Sequence, residues 1–210
     1  MNIWFATGNI HKKAELAAIL NAENSGYSVI IPTDAGLDFD PEETGTSFFE
    51  NAMLKACELY RLLSERRPPL YRVGDPVIAD DSGICVDALD GRPGIYSARY
   101  AKTAAERNTL LLKELGDNPR RSARFVCAMT LLYKPEHFFT AQEIFEGEIV
   151  KGPEYARGEG GFGYDPVLYI PSLGHTVAEL SEEEKNRISH RGKAGKALVA
   201  ILRMNSLNRK

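Results

Sequence analysis

ADDSGICVDALDGRPGIYSARY, residues 79–100, places two adjacent carboxylates at the end of an apolar run and immediately before Ser-Gly. Val77-Ile78-Ala79 has the apolar character of a strand tail, and the adjacent carboxylates Asp80 and Asp81 followed by Ser82-Gly83 predict a break into a turn before Ile84-Cys85-Val86 resumes. Neighbouring side chains on extended backbone face opposite ways, so Asp80 and Asp81 are expected to do different jobs. Asp and Ser in such a place also serve as ordinary turn residues, bonding nearby backbone amides. Asp87, Asp90, Arg92 and Arg99 follow within a short segment rich in glycine. That concentration predicts backbone held close to a compact charged ligand, and a metal-bound phosphate fits.

The 210 residues suffice for one domain, or for two lobes sharing one sheet, with a substantial core. A hydrophobic fraction of 43% and a charged fraction of 26% are those of an ordinary globular chain. Twenty-six Lys+Arg against 29 Asp+Glu leave a net charge of −3, which excludes a chain-wide basic surface for a nucleic acid polymer. A small anion needs only a local basic pocket. Cys57, Cys85 and Cys127 are widely spaced, odd in number and lack a CxxC, so all three are expected to be buried free thiols in a reducing compartment. No apolar run approaches 18 residues and Met1 leads directly into a short strand, so neither a membrane span nor a signal peptide is expected, and the cytoplasm is the expected location.

Upstream, Ile3-Trp4-Phe5-Ala6 reads as a buried strand that ends in Thr7-Gly8-Asn9, before a helix in which Leu16, Ile19 and Leu20 share a face. The loop with Lys12 near a helix N-terminus suits a phosphate, although no GxxxxGK[ST] loop is present. Tyr27–Ile31 predicts a second strand, and residues 32–45 an acidic loop. Ser47 with Glu50 forms a capping-box signature for a helix to about Ser64, with Phe49, Met53, Ala56, Tyr60 and Leu63 aligned. Asn51 and Lys55 share one face of it, by default a solvent-facing polar pair. Residues 65–76 turn basic and proline-bearing and predict an exposed loop.

Downstream, 103–115 predicts a helix, and 123–133 and 138–150 two long strands joined at Lys134-Pro135-Glu136. Gly158, Gly160 and Gly163 spell GxGxxG, but Tyr164-Asp165-Pro166 leaves no room for the helix a dinucleotide would need. The segment instead reads as a glycine-jointed loop presenting Phe162, Tyr164 and Asp165, an aromatic beside a carboxylate that suits either a purine or a tight packed turn. Ser181 and Glu184 predict a short helix carrying Lys185. Ser189-His190-Arg191-Gly192 is expected to break it before a final helix through Leu198, Ile201 and Leu202. A basic trio at a helix end also suits the helix dipole.

Five motifs in this order, ATGNIHK, EETGTSFFENAMLKA, ADDSGICVDALDGRPGIYSARY, GGFGYDPVLY and ELSEEEKNRISHRGKA, resemble the inosine triphosphate pyrophosphatase family over nearly the whole chain. The resemblance implies a single α/β domain over residues 1–210, with an elongated mixed β-sheet flanked by helices and two lobes around a central nucleotide-binding cleft. It implies Mg²⁺ dependence, a homodimer, and hydrolysis of XTP, ITP and dITP to monophosphate and pyrophosphate. Thr7, Gly8, Asn9, Ile10, His11 and Lys12 would form the phosphate and substrate loop. Glu43 and Asp81 would hold the metal, with Asp81 also the general base and Ser82 a substrate contact. Glu42 is an alternative to Glu43, and Asp80 a possible addition.

Asn51 and Lys55 match the family's NAxxKA helix, with Lys55 reaching phosphate. Phe162, Gly163, Tyr164, Asp165, Lys185, His190 and Arg191 resemble its base-binding set, whose donors would prefer a 6-oxo purine over adenine. Two departures stand out. The 65–76 loop is longer than the family's, and Lys102 replaces a usual Gly. A pyrophosphatase for other modified nucleotides, or a triphosphate sensor without turnover, is the alternative reading.

Overall fold

The computed structural model describes residues 1–22 and 26–207. Seven strands form one sheet in the order β2-β1-β3-β4-β5-β6-β7: β1 Asn2–Phe5, β2 Ser28–Ile30, β3 Val77–Val86, β4 Ser122–Lys134, β5 His137–Ile149, β6 Leu168–Ile170 and β7 His175–Thr176. β1 runs parallel to β2 and β3, with Trp4 opposite Ile30 and Val77, whereas β6 is antiparallel to β5 and β7. The sheet is therefore mixed, as expected. Helices α1 Ile10–Asn21, α2 Phe48–Arg66, α3 Ala104–Leu115, α4 Glu182–Ile188 and α5 His190–Leu207 flank it. Among the described residues no helix is long and apolar enough to cross a membrane.

The chain divides into two compact units. The first takes residues up to Asp81, Cys127–Glu143 and Arg191 onward; the second takes Ser82–Val126 and Ile144–His190. In the first unit the two-residue period of extended chain sorts the core into layers. Ile3, Phe5, Ile78, Met129 and Leu131 pack with Leu16, Ile19 and Leu20 of α1 and Ala194, Leu198 and Leu202 of α5. Trp4, Ala6, Val77, Ala79 and Leu132 pack instead with Ala56, Leu59 and Leu63 of α2. One sheet face is thus covered by α1 and α5 and the other by α2. The second unit has its own core, in which Ile84, Val86, Leu111, Leu115, Phe125, Ile149 and Leu168 meet.

Local chemistry sets the helix starts. Asn9 Oδ1 accepts from the amides of His11 and Lys12 at α1, and Ser181 forms a complete capping box with Glu184 at α4. At α2 the box is half made. Ser47 Oγ accepts from Glu50 N, but the Glu50 carboxylate turns to Thr46 N and Oγ1.

Several expectations need correction. β3 does not break at the paired carboxylates but continues for ten residues, because both carboxyl groups find partners inside the fold, as described below. Gly83 therefore serves packing rather than a turn: a Cβ there would collide with Gly94 O and Ser97 Oγ. The buried side of α2 carries Asn51 and Lys55 together with Ala52, Ala56, Leu59 and Leu63, while Phe49 is exposed. Only Ser189 separates α4 from α5, so His190 and Arg191 begin a helix rather than end one. Cys85 and Cys127 are buried free thiols, but Cys57 is exposed on α2. Asp87 pairs with Ser122 and Arg124, and Arg92 with Glu114, so these charges satisfy one another near the surface.

Candidate active site

Alternation along β3 sends Asp80 to the α1 and α5 face of the sheet and Asp81 to the α2 face. Each meets the cations of the helices waiting there. Asp80, 1% exposed, receives Lys12 Nζ of α1 at 3.1 Å and Arg191 Nε and Nη2 of α5 at 3.1 and 2.8 Å. Arg191 is itself 2% exposed, and its Nη1 reaches Glu15 Oε2 at 2.7 Å. Burial alone would favour the neutral acid, but the Lys12 and Arg191 charges outweigh it and hold the Asp80 carboxyl far below the usual carboxylate range. The Cys127 thiol lies 4.0 Å from Asp80, and burial beside that negative charge pushes its pKa up to about 12. Two cations and two carboxylates meet on this face, and the Lys55 charge acts on Asp80 as well.

The Asp81 face is built by α2 and the loop that precedes it. Asn51 Nδ2 donates to Asp81 Oδ2 at 3.1 Å, and Lys55 Nζ lies 3.4 Å from Asp81 Oδ1 and 2.6 Å from Glu43 Oε1. One ammonium therefore serves two carboxylates. Burial raises the Asp81 pKa and the Glu43 charge adds to it, so that the opposing pull of Lys55 is outweighed. Lys55 is depressed by burial, but Asp81, Asp80 and Glu43 together hold its pKa above the ordinary value, so it remains a cation. Asn51 also accepts from Gly45 N at 2.8 Å through Oδ1. A Cβ on Gly45 would sit 2.6 Å from that oxygen. The EETG glycine thus lets the loop close onto α2 and bring Glu43 to Lys55, while Glu42 stays exposed.

Paired hard carboxylate oxygens suit a divalent cation such as Mg²⁺, which is bound by one or two carboxylates and completed by substrate phosphates and water. Among the described residues no group of three or more His, Cys, Asp or Glu would hold a metal by protein ligands alone. Glu43 and Asp81 fit the two-carboxylate mode. Asp80, on the other face with its oxygens on Lys12 and Arg191, stands outside that pair.

The remaining predicted residues are distributed as follows. In the 7–12 segment Asn9 N donates to Thr7 Oγ1 at 3.1 Å, which leaves the α1 N-terminus capped by Asn9, with Gly8 between them and exposed Ile10 and His11 on the first turn. Ser82 follows Asp81 in β3 and is half-buried. In the second unit, Asp165 Oδ2 accepts from Phe162 N at 2.7 Å and from Lys185 Nζ at 2.8 Å, and that ammonium lies 4.5 Å from the centre of the Phe162 ring. The structure thus brings Phe162, Asp165 and Lys185 together around Gly163, whose φ of +67° needs no side chain. His190 stacks on Phe125 with ring centres 4.8 Å apart.

Two of the set have other duties. Tyr164 is not presented by the loop: it is buried in the core and its hydroxyl donates to Ser97 O at 2.9 Å. Arg191 belongs to the first unit, on Asp80 and Glu15. Sequence reasoning missed Glu15, although it sits one turn from Lys12 on α1, where an (i, i+3) reading would have found it. It also missed Ser97, whose Oγ accepts from Ile84 N and donates to Gly94 O. No local signal marks that residue.

Residues 3–201 match the Ham1 family. The chain belongs to that family. Among its relatives, the dITP/XTP pyrophosphatase of Treponema denticola is 44% identical over 200 residues, covering 92% of this chain and 94% of the relative. The dITP/XTP pyrophosphatase of Escherichia coli K12 is 43% identical over 94% of this chain and 96% of its own length. The Ham1 protein of Staphylococcus aureus superposes with a TM-score of 0.81 at 39% identity, covering 98% of this chain and all of that structure. A Ham1 protein of Coxiella burnetii gives 0.80 at 37%, covering 97% of this chain and 99% of its own.

Proposed function

We propose that this Ham1 protein is a Mg²⁺-dependent dITP/XTP pyrophosphatase that hydrolyses XTP, ITP and dITP to the nucleoside monophosphate and pyrophosphate. The observation that carries the reading is the Asp81–Glu43 pair on Lys55, oriented by Asn51, in a chain 43–45% identical to proteins named for that activity. Mg²⁺ on Glu43 and Asp81 would neutralise triphosphate charge and stabilise what develops as the anhydride breaks. Asn51 fixes Asp81 Oδ2, and the raised proton affinity of this carboxylate suits it to take a proton from the attacking water. Lys55 and Lys12 supply fixed positive charge for phosphate oxygens, with Lys12 held in place by Asp80. No Ser or Cys with a partnering His forms a nucleophilic pair in the motifs, so water is the nucleophile.

Phe162 offers a face for the purine, and Lys185 and His190 supply donors for a 6-oxo group, with Asp165 as the anchor of both Phe162 and Lys185. Arg191 acts on this scheme as a positioning residue for Asp80, and Tyr164 as the fastening of the loop. The resemblance further supports a homodimer in the cytoplasm. Incubating the chain with ITP and Mg²⁺ and separating the products tests the proposal. IMP and pyrophosphate are expected; IDP and orthophosphate would refute it.

A further inference from the structure

The 65–76 loop, which none of the catalytic assignments uses, walls a cavity of about 480 Å³ at the far end of α2. Tyr60, Tyr71 and Tyr133 contribute aromatic lining, Arg67, Lys134 and His137 contribute the titratable groups, and no carboxylate lines it. The loop is built rather than draped. Tyr71 packs edge-on against buried Trp4 with ring centres 6.2 Å apart, Asn2 Nδ2 holds Leu70 O at 2.9 Å, and Arg72 N caps onto Asp75 Oδ2 at 3.0 Å. His137 stacks on Tyr133 at 5.0 Å, placing an imidazole on the opposite wall.

Arg67 is the most informative residue. It ends α2 at φ 43° and ψ 58°, the left-handed conformation where glycine is the favoured residue. The Arg67 backbone N–H caps Leu63 O and its Nε donates to Ser64 O at 3.4 Å, so the helix end holds the guanidinium beside the cavity it lines. The volume falls in the range of small-molecule sites. Aromatic walls with cations and no anions select a ligand that is flat at one end and negative at the other. Arg67 lies about twelve residues along α2 from Lys55, about 18 Å at the helical rise, so the cavity is separate from the Asp81 site.

We propose that this cavity is an accessory nucleotide-binding site, in which a base stacks on the tyrosine walls and a phosphate group pairs with Arg67 and Lys134. The proposal does not depend on the catalytic reading. The test uses the full chain, with amide NMR shifts followed during titration with AMP and, separately, with inorganic phosphate. AMP is expected to move the amides of Ser64, Arg67, Gly74 and Lys134. The double variant Arg67→Gly/Lys134→Ala, whose glycine suits the left-handed backbone, is expected to keep the fold and ITP turnover within twofold while weakening AMP binding at these amides at least tenfold. Absence of shifts at these amides at millimolar AMP, or shifts unchanged in the double variant, would overturn the proposal. So would equal shifts with phosphate alone at the same concentration, since the tyrosines would then contribute nothing.

Discussion

At Asp81 burial and the Glu43 charge raise the proton affinity of a carboxylate that Asn51 holds by one oxygen. Asp81→Asn preserves shape but removes both the base and an anionic metal ligand, so kcat for ITP is expected to fall by about 10² to 10⁴ or more at saturating Mg²⁺. Retention of over a tenth of wild-type kcat would remove Asp81 from the chemistry. Asp80 behaves oppositely. Deleting its charge leaves Arg191 buried beside an uncharged partner, and Asp80→Asn is expected to cost about 3–5 kcal/mol of stability at pH 7, read by urea denaturation. The acid dependence follows from the sign of its shift. A carboxyl lowered in the folded state releases its proton more readily there than in the unfolded chain, so its stabilisation is complete above the unfolded value of about 4 and declines as pH falls below it. The gap between wild type and Asp80→Asn should therefore narrow by about 1 kcal/mol at pH 3. An unchanged gap would show that Asp80 is not the titrating group.

At the scale of the element, β3 is a ten-residue strand that carries two buried carboxylates and a glycine without interruption. The glycine is needed because the Gly94 carbonyl and the Ser97 hydroxyl occupy the space of a Cβ. Gly83→Ala is expected to destabilise by about 1–3 kcal/mol through overpacking, measured as a lower urea midpoint with unchanged slope. A shift below about 0.5 kcal/mol would mean that the 94–99 segment moves aside without cost. A turn was the natural expectation at DDSG because polar runs with glycine usually leave the sheet. It failed because the partners of Asp80 and Asp81 come from helices distant in sequence: Arg191 follows Asp80 by 111 positions, and Asn51 precedes Asp81 by 30. The same cause hid the burial of Asn51 and Lys55, whose (i, i+4) spacing was legible while the anions they face were not.

For the whole molecule, the approach of the Glu43 and Asp81 carboxylates to one ammonium predicts a requirement for a divalent cation. Turnover of ITP should vanish on chelation and return with Mg²⁺, and activity unaffected by chelator would exclude Glu43 and Asp81 as a metal pair. Selectivity belongs to this scale too, since it compares whole substrates. A 6-oxo purine satisfies donors that the 6-amino group of adenine leaves unpaired, a mismatch of about 1–3 kcal/mol. ITP should exceed ATP in kcat/KM by tenfold or more, and equal values would refute the donor assignment.

The α/β class, the helices and long strands up to residue 150, the motifs of the family and the opposite facing of Asp80 and Asp81 were legible in the chain alone, because these rest on periodicity, capping and the alternation of extended chain, all of which are local; the short strands β6 and β7 were not. Which charges meet was settled by packing. It set Arg191 on Asp80 and Glu15, turned Tyr164 into the core and left Cys57 exposed. Whether a polar side chain is buried depends on the partner that compensates its desolvation, and that partner is supplied by packing between helices and strands far apart in the chain.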